Sequence, residues 1–169
     1  LLEAGVLVAD PATPDGAFMF RHPLLQEVAE ADLLPHLRRR AHAVMAAALE
    51  GHHAGPAVTA EVAAHWSAAA EPARALAAWV RAGLAADAAT APAEALRHLE
   101  HAVDLVDQVP DAAAVAGMDR IALLAHVGDA AWRAGAHDRS VAALRTAIAL
   151  AEAADATERC TELRRALRW

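Results

Sequence analysis

The ten histidines are the first candidates for metal chemistry in this sequence. His98 and His101 are three residues apart on one predicted helix face, and Glu94 precedes them by about one turn, a spacing that can direct imidazoles toward a common ion. No H-E-x-x-H motif and no cysteine pair accompanies them. We therefore interpret this pair as a solvated helix face, predict no metal site, and place His52 and His53 in a loop.

Nucleophiles and phosphate-binding motifs give no stronger signal. A P-loop needs a lysine to reach the phosphates, and the chain has none, because all 15 basic residues are arginine. Ser67 and Ser140 lie inside predicted helices rather than in a G-x-S-x-G turn. Cys160 is the single cysteine, so we predict a small buried or incidental thiol rather than a disulfide. The sequence predicts no catalytic residue, and we expect this chain not to be an enzyme by itself.

Arg38, Arg39 and Arg40 form the strongest basic cluster. They could contact a phosphate or DNA, or they could lie in water and pair with acids such as Glu27 and Asp32, which is the reading we favour. The net charge of −7 argues against a broad nucleic-acid-binding surface, because such a surface needs clustered positive charge.

The elements that must position these residues are mostly helices. Apolar residues recur at helical spacing after residue 56, interrupted by short breaks such as "EP", "TAP" and "GAHD". Alternating short breaks favour antiparallel neighbours. The predicted helices span 58–70, 72–89, 92–107, 115–134, 137–153 and 156–169.

An internal repeat supports a stacked arrangement of these helices. A shift of 45 residues places Gly83 on Gly128 and Leu99 on Leu144. A glycine lets the partner helix approach closely, and the leucine then fills the groove. Such self-similarity predicts a mainly α fold in which residues 56–169 form an antiparallel helix-pair solenoid.

The order of small and large residues in these pairs resembles the tetratricopeptide repeat, although the period exceeds the usual 34 residues by an insertion at "DQVPDAAAVAG". The resemblance implies an inner groove that binds peptides or partner domains. Trp66, Trp79 and Trp132 fall at spacings that favour the core between helices, although the tetratricopeptide pattern would instead place Trp132 in the groove. The predicted groove residues are Leu84, Asp87, Asp129, Trp132 and Arg133.

The first 50 residues differ from the rest. "VLVA" and "AFMF" are short apolar runs separated by "DPATPDG", which supplies turn residues, so we predict a β-hairpin at about 6–20. Helices are predicted at about 22–31 and 33–50. A hairpin beside a helix is typical of the wing of a winged-helix domain, and we expect residues 1–50 to be part of one. Both chain ends lack helix caps, so we expect a piece of a longer protein.

The run "FRHPLLQEVAEADLLPHLRRRAHAVMAAALE" resembles a segment of large ATP-binding transcriptional regulators of the LuxR type, which belong to the signal-transduction ATPases with numerous domains. The resemblance implies the domain order nucleotide-binding domain, winged helix, helical repeats and DNA-binding helix-turn-helix. It also implies that His22 contacts a nucleotide, ATP or ADP, held by an upstream domain, with no cofactor bound by this chain alone. The alternative is that His22 caps or packs at the strand-to-helix junction.

These observations predict a regulatory and protein-interaction or sensing module of an ATP-dependent transcriptional regulator. Its expected partners are the nucleotide-binding domain of the same parent chain and a protein or small-molecule inducer, with DNA bound only through a downstream domain. One alternative is the regulatory repeat segment of an ATPase-linked signalling enzyme such as a nucleotide cyclase. Another is a free-standing helical-repeat scaffold. The absence of long apolar runs and of a secretory signal predicts a cytoplasmic protein without a membrane partner.

Overall fold

The computed structural model describes residues 7–9, 18–51 and 56–167, and these are mainly helical. The chain divides into two compact units, Leu1–Ala41 and His42–Trp169. The predicted domain limits, 1–50 and 56–169, stay predictions. No helix in the described ranges combines the length and the apolar character that crossing a membrane requires.

The first unit contains two three-residue strands, β1 (Leu7–Ala9) and β2 (Phe18–Phe20), which pair antiparallel with Leu7 opposite Phe20. Helix α1 (Pro23–Asp32) follows, and α2 (Pro35–Glu50) begins in this unit and continues into the second. Residues 10–17, which connect the strands, lie outside the described residues. The predicted hairpin and the partial winged helix therefore stay predictions.

The second unit is built from a succession of helices that pack against their neighbours. Within the described residues, α3 packs on α4, α4 on α5, α5 on α7, α7 on α8 and α8 on α9. The predictions for 72–89, 92–107 and 137–153 are confirmed to within one residue. The helices are α3 (Pro56–Ala68), α4 (Pro72–Ala88), α5 (Pro92–Val106), α6 (Ala112–Ala116), α7 (Arg120–Arg133), α8 (His137–Ala153) and α9 (Thr157–Ala166).

The helix predicted at 115–134 is wrong in its boundaries, because this segment forms two helices. Gly117 takes the left-handed conformation with φ of 70° and ends α6. Asp119 then caps α7, since its side chain accepts a hydrogen bond from the backbone N–H of Ala122 at 2.9 Å. The short α6 turns back and packs against α4.

Four turns between helices of the second unit share one backbone geometry. A residue in the left-handed region follows each of α3, α4, α7 and α8, and the next residue donates its N–H to a carbonyl five residues earlier, as in a Schellman motif. Glycine takes this place only at Gly135, with φ of 78°. The other three left-handed residues are Ala70, Thr90 and Asp155.

The second unit has one continuous core in which two glycines make the same contact. A Cβ atom at Gly83 would lie 2.6 Å from Cγ of Leu99, and one at Gly128 would lie 2.7 Å from Cγ of Leu144. Both distances are too short for real atoms, so α4 and α5, like α7 and α8, approach closely only because glycine stands there. The predicted close approach is confirmed at both positions. The tetratricopeptide-like solenoid as a whole stays a prediction.

Two tryptophans anchor the start of this core, as predicted. Trp66 is 1% exposed, and its indole N–H donates to Glu50 Oε1 at 3.0 Å. Trp79 is also buried, and its indole N–H donates to the hydroxyl of Ser67 at 2.9 Å. Each buried ring therefore keeps a partner for its polar atom.

Candidate binding surface

Three of the five predicted groove residues form one ion-pair cluster between α4 and α7. The Arg133 guanidinium contacts the carboxylate of Asp87, and its Nε donates to Asp129 Oδ2 at 3.0 Å. The hydrogen bond to Asp87 is the main reason why the pKa of Arg133 is raised above its ordinary value. The cluster links neighbouring helices at their carboxyl-terminal ends.

The other two predicted residues supply apolar surface. The Trp132 side chain is 42% exposed, and its ring centroid lies 4.5 Å from that of His137, the first residue of α8. Leu84 on α4 is 36% exposed. A large exposed aromatic side chain beside charged residues is typical of sites where proteins bind partners. The predicted partner-binding role of these residues stays a prediction.

A cavity of about 660 Å³ lies along α7 and α9, with α8 as its floor. We call it the α7–α9 cavity. The predicted residues Asp129 and Trp132 line it, whereas Leu84, Asp87 and Arg133 are not among its lining residues. Sequence reasoning missed its α9 wall completely. The remaining lining residues are Ile121, Ala122, Ala125, His126, Gly128, Ser140, Leu144, Arg159, Glu162, Leu163 and Ala166.

A two-pronged ion pair holds α9 against the start of α7. Arg159 Nη1 and Nη2 lie 2.5 and 2.7 Å from the two carboxylate oxygens of Asp119. This hydrogen bonding from Arg159 lowers the pKa of Asp119 to about 2, and the N–H of Ala122 adds to the effect. Asp119 therefore both caps α7 and fixes the distance between the two helices that form the cavity walls. The signal available in the sequence was the "GMD" triplet, a helix stop followed by an N-cap residue.

The nucleophile candidates are used by the packing of the helices. The buried Ser140 hydroxyl donates to the backbone carbonyl of Gly128 at 2.7 Å, and the Ser67 hydroxyl donates to the carbonyl of Ala63 at 3.0 Å. Cys160 is buried, as predicted. Within the described residues, no group of three or more histidine, cysteine, aspartate or glutamate side chains is arranged to hold a metal ion.

The interpretation of His98 as part of a solvated face is wrong. Its side chain is 6% exposed and stacks on Trp79 with ring centroids 5.3 Å apart, and its Nδ1 is buried without a partner among the described residues. Burial is the main reason why the pKa of His98 is lowered from 6.5. His101 is exposed, although its ring also lies 4.6 Å from that of Trp79. The signal was present, since His98 lies on the stripe Ala95, Leu99 and Ala102.

His22 lies at the entry to α1. The residue is exposed, and its backbone carbonyl accepts the N–H of Leu25 at 3.0 Å, so it occupies the capping position of the helix. Contact with a nucleotide stays a prediction. In the predicted basic cluster, Arg38 donates to the carbonyls of Ala31 and Leu33, at 3.0 and 3.2 Å. A cation at the end of α1 is favourable because the last carbonyls of a helix carry partial negative charge.

Comparisons with protein-family models, with curated proteins and with solved structures each found no match for this chain. The resemblance to LuxR-type regulators therefore depends on the sequence segment that suggested it. The geometry of the second unit is what bears on function directly. It combines a partly apolar cavity, an exposed tryptophan and an ion pair that holds α9 against the start of α7.

Proposed function

We propose that residues 56–169 form tetratricopeptide-like helical repeats, and that the chain is the regulatory and protein-interaction module of an ATP-dependent transcriptional regulator. Its own activity is binding. In this proposal the α7–α9 cavity, together with the neighbouring surface of Trp132, Arg133, Asp87 and Leu84, receives a segment of a partner protein. The nucleotide is held by another domain of the parent chain, toward which His22 is directed.

The observation that carries the binding role is the α7–α9 cavity itself. Trp132 is 42% exposed at its rim, although a side chain of this size normally finds a place in a core. The cavity volume of about 660 Å³ falls within the range of known ligand sites. The recurrence of the glycine–leucine contact in α4–α5 and α7–α8 supports a repeat architecture, in which such surfaces are the usual binding sites.

A peptide selection on the whole chain tests this proposal. A phage library of random linear peptides is selected on the immobilised protein, and the enriched peptides are titrated by calorimetry. We expect Trp132→Ala to weaken their binding by about tenfold, because truncating an aromatic anchor costs 1 kcal/mol or more. Arg145→Ala, an exposed change on α8 outside the cavity lining, is the matched control and should leave binding unchanged. Peptides that bind the Trp132→Ala variant as tightly as the unchanged protein, or the failure to enrich any peptide, would contradict the binding role.

The regulatory part of the proposal needs a second titration. Magnesium-ATP added to this chain should show no binding at micromolar concentrations, because no phosphate cradle is predicted here. Micromolar affinity for ATP would show that the chain binds nucleotide by itself and would overturn the assignment of that role to another domain.

A further inference from the structure

Among the described residues around the α7–α9 cavity, carboxylates outnumber guanidinium groups. Arg159, which lines the cavity, is engaged by Asp119, and Arg133 next to the lining residue Trp132 is engaged by Asp87 and Asp129. Glu162 lines the cavity from α9 and makes no close ion pair within the described residues, although its charge also acts on Arg159. The four carboxylates of Asp87, Asp119, Asp129 and Glu162 exceed the two guanidinium groups of Arg133 and Arg159 by two.

An aromatic ring and small apolar side chains complete the wall. The Trp132 ring contacts that of His137, and 42% of Trp132 remains exposed to solvent. Ala125 on α7 and Leu163 on α9 line the same cavity. A cation above an indole ring is stabilised by the negative face of the ring, and the effect increases where water is partly excluded. The cavity therefore offers cation-binding and apolar surface side by side.

We propose that the α7–α9 cavity binds a linear peptide segment with a basic side chain next to an apolar one. The basic group lies over Trp132 between the carboxylates of Asp129 and Glu162. The apolar side chain packs on Ala125 and Leu163. This inference rests on the proposed function and adds the chemical class of the partner, since an acidic segment would face an excess of carboxylates.

Three synthetic nonapeptides that differ only at two central positions test the proposal. The central pairs are leucine–arginine, leucine–glutamate and alanine–arginine, and each peptide is titrated calorimetrically at low salt, where charge effects are strongest. We expect the leucine–arginine peptide to bind at least about tenfold more tightly than the leucine–glutamate peptide. The alanine–arginine peptide should bind about fivefold or more weakly than the leucine–arginine peptide, because a buried leucine contributes apolar area that alanine lacks.

Two variants test where the basic group of the peptide binds. Glu162→Gln should weaken binding of the leucine–arginine peptide by about three- to fivefold, the scale of a partly exposed ion pair. Glu158→Gln, the same change at an exposed position of α9 outside the cavity lining, should have no effect. Circular dichroism checks that both variants fold.

The possible outcomes separate this inference from the proposed function. Equal or tighter binding of the leucine–glutamate peptide overturns the charge class, as does a Glu162→Gln variant that binds the leucine–arginine peptide normally. Neither result would contradict the proposed function, because the peptide selection tests binding at Trp132 without regard to charge. Failure of all three nonapeptides to bind at 1 mM, about the weakest useful affinity, also overturns the inference.

Discussion

Leu99 of α5 fills the space that a side chain at Gly83 of α4 would need, with Cγ 2.6 Å from the position of the missing Cβ. Leu144 of α8 stands in the same relation to Gly128 of α7. In both cases the leucine is buried and the contact joins consecutive helices. The two contacts are alike, and they give the repeat in the sequence a physical cause: a glycine in one helix makes room for a leucine of the next.

Gly83→Ala should therefore destabilise the protein, although alanine is the better helix former by about 1 kcal/mol. Overpacking a closed interface costs about 1–3 kcal/mol, so we expect a net loss measured by urea unfolding. Leu99→Ala makes room for the methyl group. In that background Gly83→Ala should leave the free energy of unfolding unchanged or raise it. Gly128→Ala should behave like Gly83→Ala. An unchanged or raised midpoint for both single variants would mean that the helices do not approach so closely.

Thr90 occupies the left-handed turn position that Gly135 fills one period later, with φ of 57°. A β-branched residue is strained there. Thr90→Gly should stabilise the protein by about 1 kcal/mol, the cost of the left-handed conformation reduced by the greater freedom of glycine in the unfolded chain. Gly135→Ala is the reciprocal variant and should destabilise by a similar amount. Thermal unfolding measures both, and a loss of stability in Thr90→Gly would refute the shared turn geometry.

His98 should make the fold sensitive to acid. Its burial, helped by the nearby charge of Arg97, lowers its pKa in the folded protein, while Glu94 acts in the opposite direction. The unfolded chain therefore binds a proton more readily, and stability should be lost as the pH falls from about 6.5 toward the folded pKa. His98→Leu should flatten this part of the unfolding profile, whereas His101→Gln at the exposed neighbour should not. A profile that His98→Leu leaves unchanged would contradict the burial of a neutral imidazole.

Asp119 should show its effect at lower pH. Hydrogen bonding from Arg159 lowers its pKa from 3.8 to about 2, so its stabilisation is present above about pH 3.8 and is lost as the pH falls through about 2. Asp119→Ala removes the helix cap as well and should cost about 1 kcal/mol at neutral pH. Arg159→Ala keeps the cap and should cost less, because the ion pair is partly exposed. Equal losses in the two variants would mean that the cap contributes nothing.

The sequence predicted most of the helices because prolines and short breaks punctuate a continuous helical pattern. Proline begins α4 and α5, where its missing N–H costs nothing, and the predicted starts at 72 and 92 are confirmed. Gly83 and Gly128 could be singled out because close packing restricts residue size. The split of 115–134 was missed since a five-residue helix is too short to show a period.

The candidate site was harder to predict because ion pairs depend on which helices become neighbours. Asp87 and Arg133 are 46 residues apart, and Asp119 and Arg159 are 40 apart. No local pattern connects such residues. His98 was misjudged although a local pattern was present, because its polar side chain was given more weight than its position on an apolar stripe. Its ring is buried against Trp79, on which it stacks.

The most direct test of the account is a map of where a selected peptide binds. Backbone amide signals of the ¹⁵N-labelled chain are recorded with and without a peptide from the selection, and their shifts are assigned to helices. The account predicts that the largest shifts fall on α7 and α9, with the indole N–H of Trp132 among them. Shifts concentrated on α1, α2 or the outer faces of α5 and α8 would contradict it.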